Sequence, residues 1–121
     1  MTGRLRQQFT RMQEAAQQAI FYIEGMDEAT FLADRRTQDA TMMQIIVIGE
    51  AVTNLWKRDR KFLARYPDIP WAGIAAMRHL TAHHYAKVHI PSLWVTLSDS
   101  VPDLLSRLPA IMMDADRHEN S

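Results

Sequence analysis

Met42-Met43-Gln44-Ile45-Ile46-Val47-Ile48-Gly49-Glu50-Ala51-Val52 is the stretch whose reading decides the fold. It is nearly all apolar, so a helix through it must be buried on most of its surface. Thr37 or Asp39 is the expected start of that helix, and Arg58 its approximate end. Glu50 is the charged interruption. A carboxylate in such a run has to be paired, protonated or at an interface, and the structural reading, a Glu held by Arg or His, outweighs a catalytic one. Upstream, Leu5, Phe9, Met12, Ala16, Ala19 or Ile20, and Ile23 recur at three- and four-residue steps, which predicts an amphipathic helix over residues 5–24 stopped by Gly25. Asp27 has the character of an N-cap for a short turn over residues 28–33.

Downstream, residues 59–65 add a turn before Tyr66-Pro67-Asp68-Ile69-Pro70, where two prolines impose an extended connection. Trp71, Ile74, Met77 and Leu80 form one stripe of a helix over residues 71–83, with Trp71 as a core anchor. Val88-His89-Ile90-Pro91 breaks it, Ser92 can cap a last helix carrying Leu93, Leu97, Val101, Leu104, Leu105 and Leu108, and Pro102 predicts a kink inside it. No strand pattern or repeat occurs. The fold class is all-α, a bundle of four to five helices, with one domain over residues 1–113 and a polar, mobile tail over residues 114–121.

Composition narrows the function. The chain has 121 residues, room for one core, with 47% hydrophobic and 23% charged residues, as in an average globular protein. Lys plus Arg is 14 and Asp plus Glu is 14, a formal net charge of zero, so non-specific coating of DNA or anionic membrane is disfavoured. Cysteine is absent, which removes disulfides, Cys-based zinc sites and a thiol nucleophile. The first twenty residues lack a signal-peptide pattern, and Ile45-Ile46-Val47-Ile48 is far short of a membrane span, so a soluble, cytoplasmic protein is expected.

The chemistry is concentrated in Arg78, His79, His83, His84, Tyr85, Lys87 and His89. On an ideal helix Arg78, Ala82 and Tyr85 share a face, while Arg78 and His83 diverge by roughly 140°. One regular helix cannot aim both at one small group: either the helix ends or distorts near Ala82, or the site draws on two chains. The bland alternative is a solvated polar helix end. His79 and His83 at i, i+4, with His84 or His89, could bind zinc, but no acidic residue lies among them, and such spacing is common by chance. The run Lys57, Arg58, Arg60, Lys61, Arg65 reads as a solvated face ahead of an RNA or partner contact, and the pairs Met42-Met43 and Met112-Met113 as packing.

Five blocks in order carry a resemblance: Phe31-Leu32-Ala33-Asp34-Arg35, Thr37-Gln38-Asp39-Ala40, Ile48-Gly49-Glu50-Ala51, Tyr66-Pro67-Asp68-Ile69-Pro70-Trp71, and Met77-Arg78 through His83-His84-Tyr85. Together they resemble the HepT-like branch of the HEPN superfamily, helical toxins encoded beside a minimal nucleotidyltransferase antitoxin. The most diagnostic element is Arg, four residues, His, one residue, Tyr, met by Arg78, His83 and Tyr85. The resemblance implies an antiparallel, dimerising bundle with two motifs in one cleft. It also implies metal-independent endoribonuclease activity without a cofactor, and a type II/VII-like toxin–antitoxin role silenced by AMP transfer to Tyr85. Where relatives often carry Asn, Arg and an acidic residue, this chain has His79, Met43 and His89.

The implied chemistry suits the residues. RNA carries its own nucleophile, the 2′-hydroxyl. His83 can move protons near neutrality, Arg78 can hold a phosphate oxygen through two N–H groups, and His79 and Glu50 are supporting candidates. A dimer could supply Arg from one chain and His from the other. The competing readings are a helical scaffold that binds a nucleotide, RNA or a nucleotidyltransferase without cutting, and a histidine-metal hydrolase. An intact Arg78 favours cleavage over the first, and the lack of nearby acids disfavours the second.

Overall fold

The computed structural model describes residues 3–120, leaving out the side chains of Leu80 and Ala82, so the place of Leu80 in the expected stripe and of Ala82 on a shared face lies outside the described residues. The order of elements is α1 (Arg4–Tyr22), α2 (Glu28–Leu32), α3 (Arg35–Arg58), α4 (Arg60–Leu63), α5 (Trp71–His83), a 3₁₀ turn (Tyr85–Lys87), α6 (Ile90–Val95), a π-helical segment (Thr96–Ser100) and α7 (Val101–Glu119). Among the described residues there is no strand, and the chain is an all-α bundle. No helix among them is long and apolar enough to cross a membrane.

Local chemistry sets the boundaries. Gly25, at φ 78°, takes the left-handed conformation that turns the chain out of α1. Asp27 caps α2 by accepting from Thr30 N at 2.8 Å. α3 starts earlier than Thr37 or Asp39: Asp34 is its N-cap, accepting from Thr37 N at 3.1 Å and from Thr37 Oγ1 at 2.7 Å. Those bonds to Thr37 hold the Asp34 carboxyl below the usual carboxylate range. The last helix also begins differently. His89, not Ser92, is the N-cap of α6, because Pro91 falls in the first turn, where its fixed φ and missing N–H are tolerated. Ser92 Oγ instead bonds His89 Nδ1 at 2.8 Å. Pro102 acts at the expected place: it has no N–H for the preceding turn, and the ladder widens to i→i+5 bonds over Thr96–Ser100 just before it.

α3 is the centre of the bundle, packed on α1 and on α5, while α1 also packs on α7. Phe9, Met12, Ala16, Ile45, Ile48, Val52, Leu55, Leu97 and Leu108 are buried in one core. Trp71 joins it, and its indole N–H donates to Leu63 O at 3.0 Å and Tyr66 O at 3.1 Å, so the start of α5 is pinned to the end of α4. Met42 and Met112 pack inside, whereas Met43 and Met113 are exposed.

From Asp114, where the sequence reading begins a tail, the chain is helical. α7 runs unbroken past residue 113 to Glu119. Asp114 accepts from Tyr66 Oη at 2.6 Å and Arg65 Nη2 at 2.8 Å, Ala115 is buried, and Arg6 bonds Asp116 at 2.7 Å. Glu119 Oε1 accepts from Leu5 N at 3.1 Å, satisfying a free donor of the first turn of α1. The segment looked like a tail because its polar residues find partners more than forty positions away.

Candidate active site

The site grows from a close crossing of α3 and α5. Gly49 is buried on α3, and a Cβ there would collide with Arg78 Cβ, so only hydrogen at position 49 lets the two helices meet. The crossing fixes the stem of Arg78. Its Nε is buried and, among the described residues, has no hydrogen-bond partner. An unpaired buried guanidinium N–H forgoes a charge-assisted bond, while Arg78 as a whole is only half-buried.

Five residues on, α5 ends. His83 is its last residue, and His84 at φ −132°, ψ 43° leaves helical geometry. Arg78 and His83 therefore both lie on α5, and the divergence between them stands. His79, His83 and His84 are all exposed and gather at this end, with ring centroids 4.7 Å apart for His79–His83 and 5.8 Å for His79–His84. His89 stands apart in its bond to Ser92. Among the described residues no three His, Cys, Asp or Glu side chains are grouped to hold a metal ion.

Tyr85 does not share a helical face with Arg78, since it lies beyond the end of α5 in the 3₁₀ turn. That turn brings it to the first turns of α3. Its hydroxyl donates to Asp39 Oδ1, Arg35 Nε donates to the same Asp39 oxygen at 3.1 Å, and Arg35 also reaches the Tyr85 oxygen at 3.4 Å. The Arg35 guanidinium carbon lies 5.4 Å from the Tyr85 ring centroid. The tyrosine is therefore held within its own chain, with its ring 40% exposed. Sequence reading missed Arg35 and Asp39 as site residues. Their signal was an opposite-charge pair at i, i+4 opening the central helix.

Glu50, next to Gly49, is half-buried, and the expected Arg or His partner is absent: among the described residues it makes no ion pair or hydrogen bond. Met43 is exposed on the same helix.

Comparison with known proteins bears on this arrangement. A family model described as "Ribonuclease HepT-like" matches residues 12–111. A "Putative RNase" of Methanocaldococcus jannaschii is 34% identical, over 84% of this chain and 83% of its own length. A second protein of that organism, "Gamma-glutamylcyclotransferase and putative RNase", is 30% identical over 83% of this chain, which spans only 44% of it. "Probable ribonuclease HepT" of Thermococcus cleftensis is 36% identical over 61% of this chain and 64% of its own. No solved structure matches the chain significantly.

Proposed function

This chain belongs to the HepT-like ribonuclease family, and from that premise we propose that it is a toxin that cuts RNA without a metal, in a cleft formed by two copies. The observation that carries the reading is the Arg78 guanidinium, anchored through its stem by Gly49 and with Nε unpartnered. A scissile phosphate is the anion that would pair with its charge at the half-exposed part of the side chain. The 2′-hydroxyl of the RNA attacks the adjacent phosphorus. His83 takes the hydroxyl proton or delivers one to the departing 5′ oxygen, and Arg78 balances the charge that grows on the non-bridging oxygens. His79, in ring contact with His83, supports its position. Half-buried and unpaired, Glu50 suits a place at or beside the interface between copies.

Tyr85 is the control point of the same site. A partner nucleotidyltransferase, using ATP and Mg²⁺, would join the phenolic oxygen to the α-phosphorus of ATP, with pyrophosphate leaving. Asp39, already accepting the Tyr85 hydroxyl hydrogen, is placed to take the proton. Each AMP added brings negative charge and bulk to the RNA cleft. The decisive experiment is cleavage of a single-stranded RNA by the purified protein and by its Arg78→Ala variant in the presence of EDTA. The reading requires cleavage by the first alone.

A further inference from the structure

Seven residues beyond Gly49, on nearly the same side of α3 and about 10 Å along it, stands Trp56, an indole 39% exposed. The Arg60 guanidinium carbon lies 4.7 Å from its ring centroid. Together they wall an open groove of about 520 Å³, continued by Pro67, Pro70, Ala72 and Gly73. Among the described residues Arg60 is the only charged one lining it, while Lys57 and Arg58 line a separate pocket with Asp59, which is paired with Arg4. The groove therefore offers aromatic surface and positive charge but no carboxylate.

Beyond the groove a surface stripe of α5 leads to His79 and His83, while Arg78 turns toward Gly49 of α3. Ala72, Ala76, His79 and His83 are spaced to fall within about 60° of one another on that helix, and all four are exposed. Between the groove and the imidazoles this stripe carries only a methyl group, at Ala76. The axial rise from Ala72 is about 10 Å to His79 and about 16 Å to His83, a length spanned by a few nucleotides of extended single strand.

We propose that Trp56 and Arg60 form a base-stacking subsite, holding an unpaired nucleobase of the RNA a few nucleotides from the bond cut beside Arg78 and His83. The inference rests on the ribonuclease reading and adds a requirement to it: the substrate is single-stranded there, with one base laid against the indole or the planar guanidinium. Aromatic rings and Arg planes accept any base this way, since every base has a π-face. Positive charge without an acid fits a phosphate backbone better than a basic peptide.

The test uses RNA substrates carrying one abasic nucleotide at successive positions around the cut, with wild type, Trp56→Ala and Trp56→Phe. At one position away from the cut, loss of the base should raise KM roughly tenfold with kcat nearly unchanged. Trp56→Ala should raise KM similarly on intact RNA and be indifferent to that abasic site, while Trp56→Phe restores most of the affinity. No sensitive position, or penalties that multiply in the combination, would overturn the subsite. Should Trp56→Ala fail to fold, the scan on wild type and Trp56→Phe still decides. A fall from dimer to monomer mass in Trp56→Ala would show that a second copy fills the groove, and would also overturn it. Indole quenching by intact against abasic RNA, read on Arg78→Ala protein, separates the two readings. Continued cleavage by that variant refutes the catalytic role of Arg78 alone, whereas equal quenching by both RNAs refutes the stacking alone.

Discussion

Gly49 and Arg78 are in contact across the α3–α5 crossing at a distance that leaves no room for a side chain at position 49. The nearest obstacle is the Arg78 Cβ, close to the backbone of α5 and unable to swing away. Gly49→Ala is therefore expected to destabilise the fold by about 1–3 kcal/mol, the usual range for overpacking, and to weaken RNA cleavage by moving the guanidinium. Urea unfolding and single-turnover cleavage measure the two effects. An unchanged midpoint would mean that α3 and α5 part freely.

Loss of the guanidinium or the imidazole should remove the chemistry and spare the helices. Arg78→Ala and His83→Ala are each expected to lower the cleavage rate by roughly 10²–10⁴-fold with unaltered circular dichroism. Substrate with 2′-deoxyribose at the cut should resist wild type, and EDTA should leave its activity intact. Activity lost on chelation and restored by zinc would refute the proposed mechanism.

Tyr85 and Asp39 are expected to act as a pair under the partner enzyme. Tyr85→Phe should escape both AMP addition and neutralisation, and Asp39→Asn should slow addition by removing the carboxylate that accepts the phenolic hydrogen. Mass spectrometry of protein co-expressed with a minimal nucleotidyltransferase reads both. AMP on Tyr22 or Tyr66 instead would sink the assignment.

Two copies should associate in solution, bringing Arg78, His83 and Tyr85 of each near a two-fold axis with Glu50 at or beside the contact. Light scattering at micromolar concentration is expected to return twice the mass of 14.0 kDa. A monomer would remove the argument for a composite cleft.

Tyr66 provides a check on the end of the chain. Burial, reinforced by its hydrogen bond to Asp114, pushes its pKa from 10.0 up to about 12. A raised folded-state pKa contributes stability that is complete below the unfolded value and is lost as pH rises through the folded one. The advantage of wild type over Tyr66→Phe should therefore hold at neutral pH and shrink between pH 10 and about 12. Denaturation of both proteins across that window tests it. A constant difference would show that the hydroxyl is not buried against α7.

The helices were legible where the pattern is local. Leu5, Phe9, Met12 and Ala16 mark the buried side of α1, and the apolar run from Met42 to Val52 marks the helix buried at the centre. Asp27 and Gly25 acted as their chemistry dictates. The start of α3 was misplaced because Thr37 and Asp39 are also good capping residues, and Asp34 prevailed by bonding both the amide and the hydroxyl of Thr37. The start of the last helix was misplaced because Ser92 is a strong cap by type, yet Pro91 before it already favours the first helical turn.

By itself the sequence determined the all-α class and the order of its helices. It also placed Arg78, His83 and Tyr85 together at the end of one of them, and its matching blocks pointed to the family. The class and the order follow from period, capping and spacing, which act over a few residues, while the family rests on resemblance alone. Only the tertiary structure decided that Arg78 is braced by Gly49, that Tyr85 turns away to Asp39 and Arg35, that Glu50 has no side-chain partner among the described residues, and that Asp114, Asp116 and Glu119 are docked on α1 and the α4–α5 connection. Each contact among these joins residues from different elements. Which pairs meet depends on how three-dimensional packing sets α3 against α5 and α1 against α7, and no local pattern along the chain carries that information.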